Sequence, residues 1–303
     1  MNRITFFKLV IGMASLFFIV AGSVSSAQTY DDLVPLDGYK TKIYFSAGND
    51  VRAKIVAERM DHVLEFYNKL IAFEPEVTLL IMNPVDWPRH TTFPVYGMPH
   101  YDEKRNLLII ASENNEFWKS FIPPVDQFPK ELADKISSTY IDENGGLSMQ
   151  AFFDLLAIHE LGHAYQFQAG LNVQRMWMGE LFCNILLHTY IAENEPEQLP
   201  ALTVFPQMVI AGGTEGFVYT SLSDIEERYE EIGQRHPRNY GWYQCRWHYA
   251  AGNIYDAGGT ETFVKLWNAL LLQKEKLDDS KFAELLSEQT HQSVADVMLK
   301  WDE

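Results

Sequence analysis

Two histidines and a glutamate form a short motif whose spacing suits metal chemistry, His159-Glu160-Leu161-Gly162-His163. On an α-helix, with about 3.6 residues per turn, His159 and His163 lie one turn apart, so both imidazoles can reach one ion. Glu160 points from the neighbouring face, where its carboxylate could take a proton from a metal-bound water without being a ligand. The motif therefore predicts a zinc site with Glu160 as general base and acid. The alternative is two hydrogen-bonded, inert histidines on an amphipathic helix.

A third zinc ligand must come from elsewhere, because a catalytic zinc generally has three protein ligands and keeps one position for water. The continuation His-x-x-Gly-x-x-His is excluded, since Gln166 and Ala169 stand where it needs glycine and histidine. Glu180 is the best candidate, because it lies early in the helix expected after Gly170 and can fold back beside the histidines. Asn184, one turn further on, could orient a ligand histidine through its other ring nitrogen. The alternative for Glu180 is a carboxylate near a helix start, favoured only by the helix dipole.

The spacing of apolar residues predicts the elements that position this motif. The motif helix should begin near Ser148 and stop at Gly170, and it is apolar nearly all round, which indicates a buried central helix. Apolar runs predict strands at Lys42–Phe45, Val77–Met82 and Asn106–Ala111, with a helix between Val51 and Phe73. Later helices are expected at about Val173–Glu193, from a capping box at Ser223 to Ile232, and at Gly241–Tyr255, Thr260–Leu277 and Ser280–Trp301.

This order of elements predicts an α+β fold without a linker or internal repeat. A small mixed sheet in residues 28–146 should pack on a mainly helical part, residues 147–303, with the motif helix central. We expect residues 28–303 to form a single domain.

The first 27 residues have the features of a secretory signal peptide. Arg3 and Lys8 precede the apolar run Leu9–Ala21, and small residues follow up to Ala27. We therefore expect a periplasmic or secreted protein. An uncleaved membrane anchor is the alternative, but the apolar run is shorter than the roughly 20 residues that span a bilayer.

Composition narrows the classes of partner. A net charge of −17 argues against nucleic acid and anionic membranes, and 47% hydrophobic residues exclude a disordered chain. Cys183 and Cys245 are the only cysteines, which is no disulfide framework, although one bridge between them stays open.

The motif and the downstream glutamate together resemble the gluzincin metallopeptidases, the class that includes thermolysin and the zinc aminopeptidases. More narrowly, the chain looks like the bacterial peptidase MA-like families, in which a Trp-x-x-Glu segment follows the histidine helix, here Trp177 to Glu180. The resemblance covers about residues 75–270. The chain departs from the families at Cys183, where alanine is common, and at Leu181, where glycine is usual.

The resemblance implies a zincin-like fold in which an edge strand, near Asn106–Ala111, aligns a peptide. It implies His159, His163 and Glu180 as zinc ligands and Glu160 as general base. It also implies a residue that donates a hydrogen bond to the oxyanion, for which the candidates are Tyr243, Tyr240 and His248.

The expected function is a secreted zinc metallopeptidase that hydrolyses peptide bonds in a peptide or protein substrate. We expect no nucleic-acid partner and no membrane span after signal cleavage. The alternative is a catalytically silent zincin-like module that binds a peptide or glycan at the cell surface.

Overall fold

In the computed structural model the described residues are 29–122, 125–142 and 144–303. Asp32–Glu303 forms one compact unit. The predicted signal peptide, residues 1–27, lies outside the described residues. Within the described ranges, no helix is both long enough and apolar enough to cross a bilayer.

A five-stranded mixed sheet forms the N-terminal part of the compact unit. Its strands in chain order are β1 (Val34–Leu36), β2 (Lys42–Phe45), β3 (Thr78–Met82), β4 (His100–Asp102) and β5 (Leu107–Ala111). The spatial order is β1-β2-β3-β5-β4, with three parallel central strands and an antiparallel strand at each edge. The central strands are the three predicted from apolar runs. β1 and β4 were not predicted, because a three-residue strand with partly exposed side chains shows no clear alternation of apolar and polar residues.

The expected edge strand near Asn106–Ala111 is wrong in its position. β5 pairs with β3 on one side and with β4 on the other, so β4 is the edge. The chain turns tightly between Asp102 and Leu107, where Asn106 adopts a φ of 53°, and this turn folds β4 back onto β5. β4 packs against the helix that carries the histidine motif.

Eleven α-helices are found in the described part of the chain. Those among or just after the strands are α1 (Asp50–Ile71), α2 (Trp87–His90), α3 (Glu116–Lys119) and α4 (Lys130–Tyr140). The others are α5 (Gln150–Gln168), α6 (Met176–Asn194), α7 (Leu199–Ala211), α8 (Leu222–Arg235), α9 (Pro237–Leu272), α10 (Asp279–Gln289) and α11 (Gln292–Leu299). The α+β class with a mixed sheet in the N-terminal part is confirmed.

Three helices differ from the sequence-based expectation. α7 lies between the helices expected at Val173–Glu193 and from Ser223, where no helix was expected, and one of its prolines falls in the first turn, where a missing N–H is tolerated. The capping box of α8 uses Ser221 and Asp224 instead of Ser223. The helix expected at Ser280–Trp301 is two helices, α10 and α11. By contrast, α9 is broken at Gly259, with a φ of 59° and a ψ of −160°, which agrees with the separate helices expected at Gly241–Tyr255 and Thr260–Leu277.

The motif helix α5 is central, as its all-round apolar sequence predicts. It packs against β4 and β5 on one side and against α6 on the other. Gly162 permits the close contact with α6, because a Cβ at this position would lie 3.0 Å from the Cα of Cys183. Gly170 follows the helix with a φ of 65°, as expected for a helix stop.

Arg52 on α1 fixes the N-terminal half of α5 against the sheet. Its guanidinium donates to both oxygens of Asp154, at 2.9 and 2.6 Å. It also donates twice to the carbonyl of Ala111 at the end of β5, at 3.2 and 3.1 Å. The side chains of Arg52 and Asp154 are only 13% and 17% exposed, so this bidentate pair is well shielded from water. The histidines lie one to two turns further along the helix that it holds.

Candidate metal centre

The two motif histidines lie side by side on α5, with ring centroids 5.1 Å apart. Nδ1 of His159 is 3.0 Å from Oδ1 of Asn184. An amide oxygen can only accept, so this Nδ1 carries a proton and donates to Asn184. Nδ1 of His163 lies 3.4 Å from the Sγ of Cys183. Each ring is therefore held from α6 through Nδ1, which leaves both Nε2 atoms for another partner.

Glu180 occupies the side to which these Nε2 atoms point. Its Oε2 is 3.2 Å from Nε2 of His159 and 3.9 Å from Nε2 of His163. The carboxylate is buried, with its side chain only 9% exposed. Burial alone would raise the pKa of Glu180, but the hydrogen bond to His159 and the charges of the histidines outweigh burial and lower it. Glu180 is thus ionised beside two imidazoles.

Two side chains that the sequence did not assign to positioning Glu180 hold its carboxylate, and a third links them. Tyr229 on α8 donates to Oε1 at 2.6 Å, and Gln244 on α9 donates to Oε2 at 2.8 Å. Tyr240 links the two, 2.9 Å from the Tyr229 hydroxyl and 2.9 Å from the Gln244 amide. Arg228, just before Tyr229, has non-helical angles inside α8. No sequence signal marks this irregularity, although the spacing of Tyr240 and Gln244 puts them on one helix face.

Glu160 lies on the same helix as the histidines but contacts the sheet. Its Oε2 accepts a hydrogen bond from the backbone N–H of Tyr101 on β4, at 3.0 Å. Burial raises the pKa of Glu160 to about 7, further raised by the charge of Glu180 and opposed by His159 and the Tyr101 N–H. A carboxylate with a pKa near neutrality is suited to exchange protons with water.

Cys183 offers a second possible set of metal ligands. The ligand atoms of His159, His163 and Cys183 all lie within 4.8 Å of one another, so this group could hold a metal ion. Burial raises the pKa of the Cys183 thiol well above its usual range, and the charges of Glu180 and Glu160 act in the same direction. Cys183 and Cys245 are both free and buried, so the structure contains no bridge between them.

The candidate oxyanion donors lie in different surroundings. The structure does not bring Tyr243 into the cluster: its hydroxyl donates to the carbonyl of Ser221 at 2.8 Å and its ring stacks on Trp301. Tyr243 is therefore a core residue, as dense aromatic stretches commonly are. Tyr240 joins the hydrogen-bond network of Glu180. The ring of His248 lies 6.2 Å from that of His159, and burial lowers its pKa well below the usual range.

The cluster therefore combines two imidazoles, two carboxylates and a thiol on α5 and α6, closed by α8, α9 and the edge strand. Comparison with protein-family models and with curated proteins found no match.

Proposed function

We propose that this chain is an exported, zinc-dependent metallopeptidase of the gluzincin type. The observation that carries the proposal is the meeting of His159, His163 and Glu180 in one buried cluster, with Glu160 between that cluster and the edge of the sheet.

Zinc fits the ligand set His159, His163 and Glu180 better than the set with Cys183. The Nε2-to-Oε2 distances of 3.2 and 3.9 Å are close to the roughly 3.3 Å between ligand atoms at about 2.0–2.1 Å from a tetrahedral zinc. Asn184 holds His159 through its other nitrogen, as a second residue behind a zinc ligand commonly does. The Sγ of Cys183 lies against Nδ1 of His163, whereas both Nε2 atoms face Glu180.

Zinc bound to these residues would polarise the scissile carbonyl and lower the pKa of a coordinated water towards neutrality. Glu160 takes the proton of the attacking water and returns it to the leaving amine. Tyr229 and Gln244 hold the two oxygens of Glu180. The hydroxyl of Tyr243 donates to the Ser221 carbonyl, and that of Tyr240 donates to the Tyr229 oxygen, because Tyr229 gives its own proton to Glu180. Tyr240 is therefore the only one of the two tyrosine candidates beside the cluster, and it can reach an oxyanion only by leaving Tyr229.

The edge strand β4 supplies a backbone to align a peptide. β4 is three residues long and its inner side pairs with β5. On its outer side the N–H of Tyr101 donates to Glu160, so an extended chain that adds there as a further strand would have to displace that carboxylate from the N–H. Tyr101 on this strand donates to Glu160, which sets the edge beside the general base. A peptide bound here would run past Glu160.

The hydrogen bond from the Tyr101 N–H to Glu160 also supports the second candidate, a silent peptide-binding module. The Tyr101 N–H lowers the basicity of Glu160, and a carboxylate that is permanently engaged with the backbone abstracts protons poorly. In that case the cleft binds a peptide and does not cleave it.

Hydrolysis of a diverse library of quenched fluorescent peptides distinguishes these functions. The protein is loaded with one equivalent of zinc, stripped with a chelator, and loaded again. We expect cleavage that disappears on stripping and returns with zinc, with zinc content measured in the same samples. Cleavage that persists in the stripped, zinc-free protein contradicts the proposed mechanism. Peptide binding without cleavage in the zinc-loaded protein supports the silent module.

A further inference from the structure

A buried amide follows the second motif histidine on α5 and has an unused acceptor. Gln166 lies one helical turn after His163 and is only 8% exposed. Its Oε1 makes no hydrogen bond of regular geometry with any residue that the structure describes. Buried polar side chains nearly always have a partner, so a free acceptor at this depth calls for a physical explanation.

The close contact between α5 and α6 leaves room for this amide. Gln166 lies over Gly179, where a Cβ would be 3.1 Å from Oε1 and 3.2 Å from Nε2. One turn earlier on α5, Gly162 lies against Cys183 in the same way. Gln166 and Gly162 therefore share the side of α5 that faces Gly179 and Cys183.

The Nδ1 atom of His163 is directed towards the same side. It lies 3.4 Å from the Sγ of Cys183, whereas Nε2 is directed towards Glu180. Burial lowers the pKa of His163, and an interaction with the Gln166 side chain acts in the opposite direction. An amide that favours the protonated imidazole does so by accepting from a ring N–H, which is the role open to Oε1.

Coordination of a metal by Nε2 would decide what Nδ1 must do. A neutral imidazole carries one proton, so a ring that binds metal through Nε2 holds the proton on Nδ1 and needs an acceptor for it. His159 has such an acceptor in the amide oxygen of Asn184, at 3.0 Å. His163 has the sulfur of Cys183, which is only a weak acceptor. The free Oε1 of Gln166 is the stronger acceptor on that side of the ring.

We propose that Gln166 orients His163 for the metal by accepting a hydrogen bond from its Nδ1–H through Oε1. Each motif histidine then has an amide oxygen behind it, from Asn184 on α6 for His159 and from α5 itself for His163. Gln166 is a positioning residue, since it contacts a ligand and not the metal. The inference rests on the part of the proposed function in which His163 binds zinc, and it does not require peptide hydrolysis.

Zinc affinity, measured by competition with a chelator, tests this role. Gln166→Met keeps the length of the side chain and removes the acceptor, and we expect about a tenfold loss of zinc affinity. The matched control is Gln168→Met, the same substitution at a side chain that bonds to Glu76 and Tyr101, which should bind zinc like the wild type. Cys183→Ala removes the other group beside Nδ1 and should stay within about threefold of the wild type. Urea denaturation of the metal-free proteins measures folding.

The ring proton separates positioning from packing. In NMR of the zinc-loaded wild type, we expect the Nδ1–H signal of His163 to be protected from exchange with water. Gln166→Met should shift this signal upfield or lose it to exchange, and Cys183→Ala should keep it. Gln166→Glu restores an acceptor, so it should bind zinc at least as tightly as the wild type and move the signal downfield. If Gln166 only filled space, the buried charge of Gln166→Glu would bring no recovery over Gln166→Met.

The proposal is overturned if Gln166→Met binds zinc as tightly as the wild type, or if its Nδ1–H signal is unchanged. A larger loss in Cys183→Ala than in Gln166→Met would assign Nδ1 to the thiol and would overturn it too. If Gln166→Met does not fold, Gln166→Glu decides: a downfield shift of the Nδ1–H signal supports the proposal, and an unmoved signal overturns it.

Failure of the proposed function gives a different result. A wild type that binds zinc and cleaves no peptide contradicts the peptidase and leaves the role of Gln166 standing, because no hydrolysis is measured here. A wild type that binds no zinc overturns both. Failure of the role of Gln166 alone appears only in the variants, with normal zinc binding in the wild type.

Discussion

Removing the hydroxyl of Tyr229 tests whether the network around Glu180 positions a metal ligand. Tyr229→Phe deletes the 2.6 Å hydrogen bond to Oε1 and leaves Gln244 on Oε2. A hydrogen bond to a charged group is worth about 1.5–3 kcal/mol. Because one of two supports remains, we take the lower end, which corresponds to about a tenfold loss of zinc affinity.

Zinc affinity is measured by competition with a chelator of known affinity, and folding by urea denaturation of the metal-free protein. Tyr229→Phe should lose about 1.5 kcal/mol of unfolding free energy, because the buried carboxylate of Glu180 loses a donor, and it should stay folded without urea, where zinc affinity is compared. The matched control is Tyr243→Phe, which removes the hydrogen bond to the Ser221 carbonyl inside the core. The control should lose about 1 kcal/mol of unfolding free energy and keep its zinc affinity.

The reasoning is refuted if Tyr229→Phe and Tyr243→Phe bind zinc equally well. It is also refuted if Tyr229→Phe loses zinc only in proportion to lost folding. Either result would mean that the hydrogen bonds seen around Glu180 do not determine the metal site.

Three further predictions concern the same framework. In equilibrium dialysis Cys183→Ala should keep its zinc affinity within about threefold of the wild type, whereas Glu180→Gln should lose at least about a hundredfold. A larger loss in Cys183→Ala than in Glu180→Gln would assign the third ligand to the thiol. In the metal-free protein burial raises the pKa of Glu160 from its ordinary 4.5 to about 7. The ionised form is therefore disfavoured in the folded state, and folding stability is lost as the pH rises from about 4.5 to about 7. Glu160→Gln should therefore raise the unfolding free energy by up to about 3 kcal/mol at pH 8 and by almost nothing at pH 4; an equal effect at both pH values contradicts the pKa shift. Arg52→Met leaves Asp154 ionised without its partner and should lower the unfolding free energy by about 3 kcal/mol in urea denaturation, whereas no loss would mean that the pair does not fix α5.

The parts of the site that follow a helical period could be predicted from the sequence. His159 and His163 are one turn apart on a helix, and Glu180 and Asn184 are one turn apart on the next. Local spacing fixes which residues share a face, and the close approach of the two helices at Gly162 brings the faces together.

The parts that depend on tertiary packing could not be predicted. Tyr229 reaches Glu180 from a helix with an irregular residue in its middle, which no residue pattern marks. Tyr101 reaches Glu160 through a backbone N–H, a group that every residue except proline has. The stacking of Tyr243 on Trp301 joins residues far apart in the chain, so the resemblance that offered Tyr243 as an oxyanion donor could not show that its ring lies in the core.

In the β-sheet, too, some strands could be predicted from the sequence and others depend on tertiary packing. Buried runs such as that of β5 are visible because every side chain is apolar. The edge strand β4 has three half-buried residues and is held by pairing with β5, so its sequence resembles that of a loop. The strand proposed to align a peptide was therefore the one that the sequence could not locate.

The most direct test of the peptidase mechanism is peptide hydrolysis by Glu160→Gln, with zinc content measured on the same samples. Glutamine keeps the size of glutamate and can still accept the Tyr101 hydrogen bond, but it cannot take a proton from water. We expect stoichiometric zinc, a normal fold, nearly unchanged peptide affinity, and a loss of at least roughly 10² to 10⁴ in hydrolysis. An unchanged rate of hydrolysis in Glu160→Gln would contradict the role of Glu160 as general base.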